Sequence, residues 1–84
     1  MALILTRSAV KDLQALPKRE AAQVAARLQA IAAAPTDRHP GVIALHGEPA
    51  GRFRVRQGDW RAVFVIQGGD VVVVKIAHRK EVYD

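Results

Sequence analysis

Arg52-Phe53-Arg54-Val55-Arg56-Gln57, then Gly58-Asp59, then Trp60-Arg61-Ala62-Val63-Phe64-Val65-Ile66, then Gly68-Gly69, then Val71-Val72-Val73-Val74-Lys75-Ile76-Ala77 follow one another with almost nothing between them. β-Branched and aromatic residues fill the three runs, and Gly-Asp and Gly-Gly are dipeptides that tight hairpin turns accept. The stretch predicts a three-stranded antiparallel meander. The unbroken valines at 71–74 predict a central strand, covered on both faces or paired with the N-terminal strand as well.

Upstream, the Ala2-Leu3-Ile4-Leu5-Thr6 run is too brief for a helix and reads as an N-terminal strand over residues 2–6. Ser8 offers an N-cap hydroxyl, and Val10, Leu13 and Leu16 recur at spacing three, which predicts a short helix from about Ser8 to Ala15. Pro17 suits the first turn of a second helix over residues 17–34, with Val24, Leu28 and Ile31 as its apolar stripe beside Ala21 and Ala25. Glu20 sits near the positive end of that helix dipole, while Lys18, Arg19 and Arg27 are expected in water. Pro35 stops the helix, and prolines and glycines punctuate residues 35–51, so Val42-Ile43-Ala44-Leu45 reads as part of a loop pinned to the core. Helices first and strands afterwards give a single α+β domain over residues 1–84, with the helical hairpin on one face of the sheet.

Composition narrows the function. Thirteen Lys and Arg against eight Asp and Glu give a formal charge of +5, and the pI is about 10.5. Such a balance fits a polyanionic partner, nucleic acid or an acidic protein that mimics it, although charge also serves solubility alone. The chain has no cysteine, which removes disulfides and thiol nucleophiles and fits a reducing compartment. Ser8 is the sole serine, so no serine triad is available, and Asp37, His39 and His46 are scattered through the loop without ligand spacing. Gly68-Gly69 lacks the Lys-Ser/Thr sequel of a phosphate loop. No metal site is expected. The N-terminus is too short in apolar residues for a signal peptide or a membrane span, which leaves cytoplasmic residence as the expectation.

Alternation across a strand sends Arg52, Arg54 and Arg56 to one face and Phe53 and Val55 to the other. If Gly58-Asp59 is a two-residue turn, Gln57 pairs with Trp60, and Arg56 stands directly opposite Arg61. Like charges opposed in this way destabilise a sheet, and a phosphate between them removes the conflict. Guanidinium forks match phosphate oxygens, so Arg54, Arg56 and Arg61 form a candidate anion clamp. A solvated face in which the arginines splay apart, or pair with Asp59 or Glu48, accounts for the same spacing. Beyond the last strand, His78-Arg79-Lys80-Glu81-Val82-Tyr83-Asp84 brings basic groups, an imidazole and a phenol to its end. A two-residue loop at Gly68-Gly69 turns Lys75 and Arg79 away from the arginine face, and a three-residue loop turns them toward it.

The pattern Arg-Phe-Arg-Val-Arg-Gln-Gly-Asp-Trp-Arg at 52–61, a valine-rich strand and the terminal His78-Arg79-Lys80-Glu81-Val82-Tyr83 closely resemble the RelE branch of the RelE/ParE toxin superfamily. The N-terminal strand, the helical hairpin split at Leu16-Pro17 and the Leu45 to Gly47 step resemble it too. The resemblance implies a RelE-like fold and a toxin of a type II toxin–antitoxin system: a metal-independent endoribonuclease that cuts mRNA in the ribosomal A site. Its implied partners are a cognate antitoxin, the ribosome and mRNA, with no membrane and no small-molecule cofactor. In that family the substrate 2′-hydroxyl attacks the adjacent phosphorus, leaving a 2′,3′-cyclic phosphate and a 5′-hydroxyl.

Carried over by position, Arg54, Arg56, Arg61, Arg79 and Tyr83 are the implied catalytic residues, and Arg52, Lys75, His78 and Lys80 the further RNA contacts. Tyr83 is the implied base, which a phenol with an ordinary pKa of about 10 serves only if neighbouring arginines lower it. Arg79 holds the proposed acid position, with electrostatic help to the leaving group as its natural role and His78 or water as alternative donors. Two other readings share the fold: a ParE-like toxin that inhibits gyrase without nuclease chemistry, and a degenerate module that binds RNA without cutting it.

Overall fold

The computed structural model describes residues 2–35, 39–45 and 51–81. Strand β1 (Leu3–Leu5) leads into helix α1 (Arg7–Ala15) and helix α2 (Lys18–Ala33); β2 (Val42–Ala44), β3 (Arg52–Gln57), β4 (Trp60–Gln67) and β5 (Asp70–His78) follow. The strands form one sheet in the order β1-β5-β4-β3-β2. The predicted meander is present as β3, β4 and β5, and β5 is central because β1 pairs parallel to it, Leu3 with Val71 and Leu5 with Val73.

Four local expectations need correction. The N-cap of α1 is Thr6, whose hydroxyl accepts the Ala9 N–H at 3.2 Å, and Ser8 lies within the helix with its own hydroxyl 3.4 Å from the Val74 carbonyl. Thr6 wins because its backbone N–H is already fixed to the Val73 carbonyl at the end of the β1–β5 ladder. Val10 is exposed, and the face that α1 buries is Ala9, Leu13 and Leu16. Pro17 precedes the second helix as its N-cap; Leu16 and Pro17 are extended, since a residue before proline avoids helical geometry. Finally, Val42–Ala44 is not loop but an edge strand, antiparallel to β3 with Ile43 opposite Arg54.

Both helices cover one face of the sheet. Ala9 and Leu16 of α1 and Val24, Leu28, Ile31 and Ala32 of α2 meet Val55, Ala62, Phe64, Val71, Val73 and Ile76 in one cluster. Phe53 and Phe64 stack across adjacent strands with ring centroids 5.6 Å apart. Ala-rich α2 lets the helix approach the sheet closely, and Glu20 in its first turn accepts the Trp60 Nε1–H at 3.1 Å, tying α2 to the start of β4. Among the described residues no helix is long and apolar enough to cross a membrane.

β1 is shorter than β5, so beyond Val73 the central strand has an open edge. Asp12 of α1 covers it: its carboxylate accepts the Ile76 N–H at 3.0 Å. A charge-assisted bond to a strand edge both satisfies the donor and blunts the edge against pairing with another chain. Asp12→Ala is expected to lower unfolding free energy by about 1–2 kcal/mol, read in urea denaturation, with Asp12→Asn losing less because its amide oxygen still accepts.

Candidate functional site

The face away from the helices is organised in rows by the register. Arg56, Arg61 and Ala77 form one row; Ile43, Arg54, Val63 and Lys75 the next; Arg52, Val65, Val72 and Ile4 the third. Arg56 does stand directly opposite Arg61, with Gln57 paired to Trp60 across the turn. Arg56 donates its backbone N–H outward to the Gly41 carbonyl of the neighbouring strand segment. Arg56 and Arg61 are therefore a non-hydrogen-bonded pair, the kind in which opposed side chains approach most closely.

Gly58 has φ +58° and Asp59 a negative φ, the combination of a type II′ turn that brings the two strands together with no spare residue. The turn then holds its own arginines. Arg61 Nη1 donates to the Gly58 carbonyl at 2.9 Å and to the Trp60 carbonyl at 3.0 Å. Arg79 donates its backbone N–H to the Asp59 carbonyl at 2.8 Å, and its Nε lies 3.7 Å from the Asp59 carboxylate. Arg56, Arg61 and Arg79 thus gather at one end of the sheet. Of the two acids expected as arginine partners, Asp59 takes Arg79, and Glu48 lies outside the described residues.

Arg54 is deeper. Only 8% of it is exposed, beside Val63 at 5%, so its aliphatic stem serves as part of the floor of this face. Arg52 is half-buried, and its Nε is out of solvent with no acceptor among the described residues.

Lys75 answers the question left open at Gly68-Gly69. The turn has two residues, Gln67 pairing with Asp70, which by itself would send Lys75 to the core. A β-bulge intervenes: the register slips by one between Val63 and Phe64, leaving Val74 without a partner on β4, and Lys75 stands opposite Val63 on the arginine face. The same slip lets Val73 and Ile76, three apart, both reach the helix-covered core.

His78 does not join the arginines. It pairs with Trp60 on the helix-covered side, its ring edge-on to the indole at 5.5 Å, and its Nδ1 accepts the Lys80 N–H at 3.3 Å. Its ring therefore lies on the opposite side of the sheet from Arg56 and Arg61. Lys80 is exposed just past the strand end. Tyr83, the candidate base, lies outside the described residues.

Sequence reading missed one contributor. Arg27 was expected in water but is half-buried, and its guanidinium lies 3.4 Å from where a Cβ on Gly41 would stand. Gly41 itself has φ +80° and would put that Cβ 3.3 Å from the Arg56 carbonyl, so glycine is required for the chain to pass here. Asp59, expected as a partner for the strand arginines, reaches Arg79 beyond the last strand. No local pattern announces the placement of Arg27, because it depends on contacts between distant elements.

A helical pair on one face of a sheet with β1 parallel to a central β5, and guanidinium groups ranked on the other face, define a small RelE-like toxin fold. A chain of the RelBE2 toxin–antitoxin complex from Mycobacterium tuberculosis is similar at 28% identity and TM-score 0.78, over 93% of this chain and 96% of that one. A chain of the archaeal RelE–RelB complex from Pyrococcus horikoshii OT3 is similar at 23% identity and TM-score 0.77, over 96% and 97%. The isolated Escherichia coli RelE toxin shares the fold at 17% identity and TM-score 0.75, over 92% and 82%. No curated protein matches the chain in sequence. Residues 3–83 match the family of the ParE toxin of the type II toxin–antitoxin system, parDE. The chain belongs to that family, and it is a toxin of the RelE/ParE superfamily.

Proposed function

We propose that this toxin is a metal-independent endoribonuclease that cuts mRNA in the ribosomal A site, restrained by a cognate antitoxin. The observation that carries this reading is the direct opposition of Arg56 and Arg61 at a turn that also holds Arg79. A gyrase inhibitor acting by binding alone has no need to set two guanidinium groups in the closest kind of cross-strand pair, where like charge costs folding stability. A phosphodiester undergoing attack does need it, since negative charge grows on the phosphorus oxygens in the transition state.

In the reaction, the RNA 2′-hydroxyl loses its proton to a base, its oxygen bonds to the adjacent phosphorus, and the bond to the 5′-oxygen breaks as that oxygen gains a proton. The products are a 2′,3′-cyclic phosphate and a 5′-hydroxyl. Arg56 and Arg61 neutralise the non-bridging oxygens, and Arg54 supports them from the floor of the face. Arg79 stabilises the departing oxygen by its charge, with water supplying the proton. Tyr83 is the base, one residue from the chain's end. Lys75, Arg52 and Lys80 contact flanking phosphates.

Mapping mRNA 5′ ends in a translating extract tests the proposal. Added toxin is expected to produce new ends with free 5′-hydroxyls on ribosome-bound messages only. Intact message together with inhibited gyrase would instead support the ParE-like reading.

A further inference from the structure

The Gly58-Asp59 turn does more than reverse the chain. Both arginines that follow a strand junction are attached to it, Arg61 through the carbonyls of Gly58 and Trp60, and Arg79 through the carbonyl and the carboxylate of Asp59. The Arg61 and backbone contacts are ordinary hydrogen bonds. The carboxylate contact differs: it is a 3.7 Å pair with both side chains more than half exposed, 58% for Arg79 and 64% for Asp59. An exposed pair of this kind contributes little to stability, so its partners exchange readily for other ions. A backbone phosphodiester carries the same single charge as the carboxylate, but it arrives with the neighbouring charges of its strand and offers two non-bridging oxygens to the guanidinium fork, so bound RNA competes for Arg79.

We propose that Asp59 is a positioning residue whose carboxylate holds the Arg79 guanidinium at the turn in the unliganded toxin and yields it to a substrate phosphate. This rests on the nuclease reading for the identity of the substrate. Asp59 keeps Arg79 beside Arg61, against the repulsion of Arg56 and Arg61, until an RNA phosphate replaces it as counter-charge. Asp59 touches no reacting atom; it acts through Arg79.

The test is a double-mutant cycle of Asp59→Asn and Arg79→Gln on intact toxin. A single-stranded DNA oligonucleotide serves as the probe, because it lacks the attacking 2′-hydroxyl. Removing the competing carboxylate is expected to tighten binding by about two- to five-fold at low salt, and to steepen the log–log salt dependence by up to about 0.7. Both effects should vanish in the Arg79→Gln background. Asp59→Glu should return both toward wild type. In cleavage of RNA, Asp59→Asn should lower KM by a similar factor and change kcat by less than about two-fold, because Arg79 has already left Asp59 in the bound complex. In 15N-labelled protein the Arg79 Nε–H resonance should move on Asp59→Asn and, in wild type, on adding the oligonucleotide.

A binding gain of the same size without Arg79, or an Arg79 resonance indifferent to Asp59→Asn, overturns the proposal. The two readings separate cleanly. The full binding pattern without any cut message would overturn the nuclease and sustain the Asp59 exchange, whereas cut message with additive mutants would do the reverse.

Discussion

Arg61→Ala is expected to slow RNA cleavage by about 100-fold or more while leaving the thermal midpoint unchanged or slightly higher. The two halves of this result come from the same geometry. Arg61 faces Arg56 in a non-hydrogen-bonded cross-strand pair, so in the unliganded protein the two charges repel. Truncation removes that repulsion and gives up the surface contacts of Arg61, among them two hydrogen bonds to turn carbonyls that water replaces. The balance lies within about 0.5 kcal/mol of zero, the usual range at a surface position. In the transition state the sign reverses, because a phosphorane between the two guanidinium groups turns their proximity into an advantage. The measurements are single-turnover cleavage on stalled ribosomes and a melting curve on the same preparation. Cleavage unaffected by Arg61→Ala would remove the site. A melting point lowered by more than ten degrees would mean that Arg61 is structural.

Why could so much of this site be read before any coordinates? The arginine face depends only on period-two alternation and on the length of one turn, both local properties. Arg52, Arg54 and Arg56 share a face by alternation, and Gly58-Asp59 fixes Arg56 opposite Arg61 once the turn has two residues. The helical pair was legible for a similar reason: Pro17 splits two stretches whose apolar spacing each fits one helix face. What escaped was set by pairing across long separations. β2 has three residues between punctuating glycines and prolines, and it becomes a strand only because β3 presents a free edge to it.

The bulge at Val74 is the sharpest case. Four consecutive valines carry no mark of which one will be passed over, and the slip is decided by the core, which takes both Val73 and Ile76. Without it Lys75 would be buried under the helices. With it the arginine face gains a cation from a third strand. The side of the sheet that His78 takes was hidden for the opposite reason: its neighbours in sequence are basic, but its neighbour in space is Trp60. A strand end carries residues to both faces, so nearness along the chain to Arg79 does not bring the imidazole to the same side.

The largest expected loss of stability is at Phe64. It is 1% exposed, stacks on Phe53 and lies in the central cluster beneath both helices. Phe64→Ala leaves a cavity in the cluster that the helices and the sheet share, and should cost about 3–5 kcal/mol. An 84-residue chain buries little more than about 60% of its unfolded surface and stands near the low end of the usual 5–15 kcal/mol. Most of the margin would go, and the midpoint should fall by more than about ten degrees. Toxicity would be lost here too, but through the unfolded fraction, so that cooling or a bound antitoxin restores folded protein and Phe64→Leu recovers most of the loss. Arg61→Ala would show none of that recovery. Urea denaturation decides it: a cost below about 1 kcal/mol for Phe64→Ala, the average for a point mutation, would mean that the sheet and helices are not joined through this ring. The arginine rows on the far side would then lack the rigid floor that their placement requires.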